Sequence, residues 1–588
     1  QYMWPRSVAC LQELPLLGNG KVDRSRALAD GQRHAMTQAK SGIAPRTATE
    51  AVLVEVWRDV LQDPGIGVTD NYFRCGGDSI RAIQITAAIA HSLGVTVSMA
   101  ELYALPSVEQ LAHLVEQRAS IEDSTSPEPA SPAHWRLDTE EFARLEANSQ
   151  SVFPISDVSQ GMLYHALRDA DSAVYHDQTA FFVSDIDLTP KAVEGVLVAM
   201  CAAHPALRTT FHLDHAVPMQ AVAADASPEL HCENWRALSR DDQDRSLQHY
   251  LRADRCRAFT PEKSPPWRMA VFDCGTRGFA IAMSLHHALM DGWSSALFWD
   301  EFFRRLQGVW VSPDALGRDA ASCRDLVVEQ AELARDAGIR AYWAKELADA
   351  RPFELPGQRG ESARAEVVAR EIATRLDPRI AARVRQLAGR LGIAVRHCYL
   401  LGYLVALSRV SYEQDFVAGI VDNVRPQKAG GDRVLGCFLN TVPLRFPLDF
   451  STPASDLLHA LDARVTELKH FGRASLPTIL DACGYNGATP LLSSVFVYLN
   501  FHVIEDTRKA VRIEPDVFGH DRANTALDLI INESGAHAEL KLKYDACRVS
   551  AELASGFIVA FTNALELMTL QPDAPLSLPS IVNGAKSR

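Results

Sequence analysis

Residues 119–134, ASIEDSTSPEPASPAH, constrain this chain more than any other segment. They are acidic and rich in Ser and Pro, and Ile121 is the only large apolar residue among them. Such a stretch has little surface to bury, and its prolines resist regular structure, so it reads as a linker. The chain must therefore fold as at least two parts, a short one before the linker and a long one after it. We place the linker at 119–148. Domains of roughly 100–200 residues would make three or four units of 588 residues.

Composition narrows the function classes. Hydrophobic residues make up 47% of the chain, which excludes wholesale disorder. The 59 Lys and Arg stand against 73 Asp and Glu, a net charge of −14. That balance argues against a nucleic-acid backbone or an anionic membrane as the main partner. The eleven Cys form no CxxC pair, as expected for reduced thiols in the cytoplasm. No apolar run approaches the roughly eighteen residues of a membrane span. The longest, Cys398 to Leu407, is expected to be a buried helix. The chain opens on Gln1, shows no signal-peptide pattern, and reads as a monomeric piece of something longer.

Residues 45–118 read as a compact helical unit. Val52, Leu53, Val56, Trp57 and Val60 recur at helical spacing. A second helix starts near Ser79, and a third follows Ser107, a plausible N-cap, with Val108, Leu111 and Leu114 as its apolar stripe. Between the first two lies Asp70-Asn71-Tyr72-Phe73-Arg74-Cys75-Gly76-Gly77-Asp78-Ser79-Ile80, which puts glycines and a hydroxyl at a helix start. A helix N-terminus offers unpaired N–H groups and a positive dipole end, which suit a covalently held phosphate. A bare GGxS would be an ordinary capped turn. The whole segment, however, resembles the attachment motif of peptidyl carrier proteins. The resemblance implies that Ser79, with Asp78 beside it, carries 4′-phosphopantetheine, whose thiol holds an aminoacyl or peptidyl thioester.

Ahead of this unit, Leu14-Pro15-Leu16-Leu17-Gly18-Asn19-Gly20-Lys21-Val22-Asp23-Arg24 is similar to the last motif of adenylation domains. Residues 1–40 would then be the C-terminal tail of such a domain, with Lys21 its adenylate-contacting lysine. Without the rest of that domain, Lys21 has no activity to support.

Past the linker, Gly278 to Leu285 is an apolar run of strand length, ending in His286-His287-Ala288-Leu289-Met290-Asp291-Gly292. Adjacent side chains on a strand point to opposite faces. One His should therefore pack inward while the other meets substrate, and a metal site made of both is disfavoured. A neutral imidazole can take or direct a proton near pH 7. A lone HH pair would be read as structural. This segment resembles the HHxxxDG motif of nonribosomal peptide synthetase condensation domains, which share a two-lobed chloramphenicol-acetyltransferase-like α/β fold. Pro154–His165, Tyr175-His176-Asp177-Gln178, His204–Phe211 (with Ala203 where the family has Arg), Asn423-Val424-Arg425-Pro426 and Gly436–Arg445 resemble further motifs in the family's order. The resemblance implies an N-lobe at 149–320 and a C-lobe at 321–580.

It also implies site roles. The catalytic set would be His286, His287, Asp291, Gly292 and Asn440. His287 would orient or deprotonate the acceptor amine, and Asp291 would pair with Arg425 as structural support. Gly292 would offer its N–H near a developing oxyanion, and Asn440 would line the cavity. The implied reaction is peptide-bond formation by acyl transfer. The implied partners are an upstream adenylation core, downstream adenylation and acceptor carrier domains, and a phosphopantetheinyl transferase. An epimerisation domain also carries HHxxxDG, but it resembles EGHGRE where this chain has Val421–Pro426. A non-catalytic recruitment domain usually lacks the histidine that is present here.

Overall fold

In the computed structural model, the description covers residues 43–576. It omits 62, 73–74, 76–78, 96, 98–100, 103–104, 120–139, 169–172, 187, 216, 226, 310–320, 352, 356–367, 486–489, 500–510, 515–517, 521–524 and 535–536. Lys21, Asp78 and most of the linker lie outside the described residues.

The first unit contains α1 (Ala48–Leu61), α2 (Ser79–Leu93) and α3 (Val108–Ala119). The apolar stripe of α1 buries Leu53, Val54, Trp57 and Leu61. These pack with Ile85 and Ile89 of α2 and with Leu111 and Val115 of α3. Tyr72 meets the Trp57 ring edge-on at 5.6 Å. Ser107 caps α3 as its sequence suggests, accepting from the Gln110 N–H at 3.4 Å.

The large part has a small antiparallel sheet of β1 (Ser149–Pro154), β4 (Met219–Ala223) and β3 (Thr209–His212), and two mixed sheets. In the N-lobe, β2 (His176–Ser184), β5 (Leu230–Asn234), β6 (Trp267–Asp273) and β7 (Phe279–His286) form a sheet in the order β2-β7-β6-β5. Every residue of β7 after Phe279 is buried, because helices cover both faces. On one face lie helix Pro190–Ala203 and α4 (Gly292–Leu306), with Leu197, Phe298 and Phe302. On the other, helix Arg240–Arg255 brings Leu247 and Leu251 against Phe182 and Phe272. The β6–β7 turn needs Gly278, which has φ +97; a Cβ there would sit 2.1 Å from the Val183 carbonyl oxygen of β2.

The C-lobe sheet runs β10-β9-β11-β14-β15-β8. Its strands are β8 (Ala369–Arg375), β9 (Val417–Asn423), β10 (Leu439–Arg445), β11 (Ser494–Leu499), β14 (Leu527–Ser534) and β15 (His537–Asp545). Helices α5 (Pro378–Leu391), α6 (Val395–Ser411), α7 (Ala454–Phe471) and α8 (Ala551–Leu570) pack on it. Asp377 caps α5, with Pro378 at its first turn, and Gly392 ends it in a left-handed conformation. Helix α6 is apolar on all sides and buried from His397 to Ser408, as its run predicts.

Two findings depart from the sequence reading. Helix α8 is long and apolar enough to cross a membrane, although no run was expected to qualify. Phe557, Phe561, Leu565 and Met568 on it are buried in the C-lobe core, the position of a core helix. Second, the N-lobe sheet is not made from 149–320 alone. The short strands β12 (Arg512–Ile513) and β13 (Phe518–His520) cross over and pair antiparallel with β2, Ile513 opposite Val183 and Phe518 opposite Ala180.

Candidate active site

The site begins where β7 pairs with β2. His286 lies opposite His176 and Leu285 opposite Asp177. The two-residue period of each strand then sorts the side chains. On one face, Ser284 and Gln178 bond the buried Asp254 carboxylate, at 2.5 and 3.0 Å, and Arg268 donates to it at 2.6 Å. His286 belongs to this face. It is buried, and its Nδ1 accepts the Ala288 N–H at 3.2 Å. Burial pushes its pKa down to about 4, so it is a neutral ring at physiological pH. It was grouped with the catalytic residues; the structure places it in the core.

His287 takes the other face. Its N–H donates to the Tyr175 carbonyl at 2.8 Å, and its side chain keeps 22% of its exposure. The Nδ1 lies 2.6 Å from the Asp177 carboxylate. Burial pushes the Asp177 carboxyl up, but the His287 ring and Lys543 of β15 outweigh it, and the net shift is downward. Inward and outward histidines are thus separated as strand alternation requires.

Four residues on, Asp291 caps α4 by accepting the Ser294 N–H at 2.7 Å. The same carboxylate accepts from the Arg425 guanidinium at 3.0 Å and from the Phe438 N–H at 3.0 Å. Arg425 is fully buried. It also donates to the Val434 and Gly431 carbonyls and lies over the Phe438 ring. The Ser294 hydroxyl donates to the Gly436 carbonyl at 2.7 Å and accepts from the Gly436 N–H and from Arg425. Gly436 has no room for a side chain; a Cβ would lie 2.4 Å from the Cys323 sulfur. This network clamps the end of the HHxxxDG turn to the C-lobe, and the Asp291–Arg425 pair is the one the resemblance implies.

Gly292 is the first residue of α4, a position whose N–H has no partner within the helix. Asn440 differs from expectation. It is buried on β10, and its Nδ2 donates to the Gly472 and Ala474 carbonyls, each at 2.7 Å. Both amide hydrogens are committed to the backbone, so the side chain has none to offer a reacting group.

Ser79 is the first residue of α2, a helix of 15 residues with no acidic side chain in its first turn. A phosphate ester at this helix start would meet the positive dipole end and the open N–H groups. The helical unit meets the large part at Trp293, directly after Gly292. That indole is buried with the hydrophobic cluster of α1–α3 and donates to the Asp432 carbonyl at 2.9 Å.

The sequence reading named Asp177 within a motif but gave it no role, and it did not name Lys543. Asp177 had a readable signal: counted at a two-residue period from Phe181, it faces the α4 side of the sheet. Lys543 lies in the other lobe and has no local signal.

Comparisons with known proteins bear on the family and the fold. A family model described as a condensation domain matches residues 149–588, and one described as a phosphopantetheine attachment site matches 51–115. The AMB antimetabolite synthetase AmbE of Pseudomonas aeruginosa is 30% identical over 98% of this chain and 27% of its own length. Surfactin synthase subunit 1 of Bacillus subtilis is 26% identical over 99% of this chain and 15% of its own. The chain thus spans about a quarter or less of the length of these relatives. Among solved structures, the condensation domain of the monacolin K polyketide synthase MokA superposes with a TM-score of 0.62, at 18% identity, covering 73% of this chain and all of that one. The four-domain nonribosomal peptide synthetase AB3403 superposes with a TM-score of 0.61, at 17% identity, covering 78% of this chain and 34% of its own.

Proposed function

This chain belongs to the condensation-domain family, with a phosphopantetheine attachment domain ahead of the condensation domain, and on that premise we propose that it forms peptide bonds between carrier-tethered substrates. The arm on Ser79 supplies a thiol that holds the donor acyl group as a thioester. The amine of an acceptor aminoacyl thioester attacks the donor carbonyl. A C–N bond forms, the C–S bond breaks, and the proton lost by the amine ends on the departing sulfur.

The chain's own residues act around that exchange. His287 orients the acceptor amine and takes or guides its proton through Nε2, a task suited to an imidazole near neutral pH. The Gly292 N–H, which has no partner within α4, faces the negative charge that grows on the carbonyl oxygen. Asp291 and Arg425 hold the turn that carries both. His286 and Asn440 support the fold of the site. Much of the acceleration comes from bringing two tethered thioesters together.

The observation that carries this reading is the separation of the two histidines: His286 is buried and neutral, and His287 is accessible, with its Nδ1 2.6 Å from the Asp177 carboxylate. The upstream partner is an adenylation core, with residues 1–40 as its tail and Lys21 in its last motif. The downstream partners are an adenylation domain and an acceptor carrier, and a phosphopantetheinyl transferase loads Ser79. We place the protein in the cytoplasm as a monomeric segment of an assembly line.

The test is to load the donor on Ser79, add a loaded acceptor carrier, and read the products by mass spectrometry with chiral analysis of the donor residue. A peptidyl product on the acceptor supports the reading. A stereo-inverted donor with no new bond overturns it in favour of epimerisation.

A further inference from the structure

Asp177 stands second in β2, in register opposite Leu285. That register brings its side chain to the face His287 occupies, and the carboxylate reaches the His287 Nδ1 at 2.6 Å. A carboxylate oxygen and an unprotonated ring nitrogen, both lone-pair bearers, would repel at this distance. A proton on Nδ1 turns this contact into an attraction, and the neutral ring then carries its basic lone pair on Nε2. The backbone holds the same arrangement. Tyr175 adopts φ +59, a left-handed conformation that strains a non-glycine residue. Its carbonyl accepts the His287 N–H, and its ring lies parallel to the imidazole, 5° between planes, with centroids 6.4 Å apart. Lys543, from the opposite lobe, attracts the same carboxylate. The mechanism above uses His287 and leaves Asp177 without a task.

We propose that Asp177 is a positioning residue for the condensation reaction: its carboxylate fixes the tautomer and ring orientation of His287, so that Nε2 meets the acceptor amine. Asp177 itself touches neither substrate. Its effect passes entirely through His287, and the inference rests on the reading of His287 given above.

The experiment uses the full chain, loaded at Ser79 with an aminoacyl-pantetheine group. An aminoacyl-pantetheine thioester, chosen from a panel as one the wild type accepts, serves as acceptor. Single-turnover amide formation is measured for wild type, Asp177→Asn, His287→Ala and the double variant. Asp177→Asn should lower the rate at saturating acceptor by roughly 10²–10⁴-fold, the scale seen when an orienting carboxylate is lost. The half-saturating acceptor concentration should stay nearly constant. In the His287→Ala background the same substitution should cost no further rate. An additional loss there, or a wild-type rate for Asp177→Asn alone, overturns the inference. A wild-type rate for His287→Ala overturns instead the reading of His287 and is recognisable as such. Should Asp177→Asn fail to fold, ¹⁵N spectra of histidine-labelled wild type, assigned by comparison with His287→Ala, decide the question. A ring protonated at Nδ1 supports the inference, and an Nε2–H neutral tautomer defeats it.

Discussion

Two helices begin at the chemistry of this molecule, and they begin differently. At α4 the start is occupied from within: Asp291 caps the first turn, Arg425 neutralises it, and Phe438 and Gly436 tie it to the C-lobe. At α2 the first residue is Ser79, and no acidic side chain stands in the first turn. The same electrostatic asset, a positive helix end, is used up at one site and kept for an added anion at the other. A helix start filled by its own carboxylate serves as scaffold. One that begins on Ser79, with no acidic side chain in its first turn, is the attachment point we propose.

The sharpest way to break this contrast is at α2. Ser79→Ala should abolish loading by a phosphopantetheinyl transferase outright, read as loss of the intact-mass gain; any gain in that variant would remove Ser79 from its role. At the other site, His287→Ala should leave loading intact and lower amide formation by about 10²–10⁴-fold. Unchanged product would place the chemistry elsewhere. Asp291→Ala tests whether α4 is scaffold. It strands the buried Arg425 guanidinium, and stability should fall by about 3–5 kcal/mol in urea unfolding. A variant that is fully stable yet inactive would make Asp291 a participant in chemistry.

The smallest effect concerns the inward histidine. His286 is held neutral by burial, with its pKa moved from 6.5 down to about 4. Between those values the unfolded chain binds a proton that the folded chain excludes. Stability contributed by the neutral ring is therefore complete above pH 6.5 and is lost as pH falls toward 4. The loss should be on the order of 2–3 kcal/mol. Melting curves at pH 7 and pH 5 should show a smaller acid-induced drop for His286→Gln than for wild type. Equal drops would assign the acid sensitivity to other groups.

What could be read from sequence was local. Helix α6 was legible because an all-apolar run of that length needs burial on every side. That one of His286 and His287 packs inward followed from strand alternation; the choice of His287 and the Asp291–Arg425 pair came from the family resemblance. What could not be read depended on register across long separations. The pairing of β2 with β7 sets Asp177 beside His287, and only the Gly472–Ala474 turn, 32 residues or more from Asn440, shows that its amide is committed. The apolar length of α8 was missed because Glu552 and Glu566 break its run without preventing one face from packing.

The crossover strands have a consequence for biosynthesis. Ser184 on β2 waits for Arg512 to arrive before that edge of the N-lobe sheet is paired. A ribosome must therefore deliver about three quarters of the C-lobe while a β2 edge stands open, and an open edge invites pairing with other chains. Closing so large a loop is slow to nucleate but adds little extra entropic cost per added residue. The N-lobe sheet is thus complete only when residues 512–520 have been made.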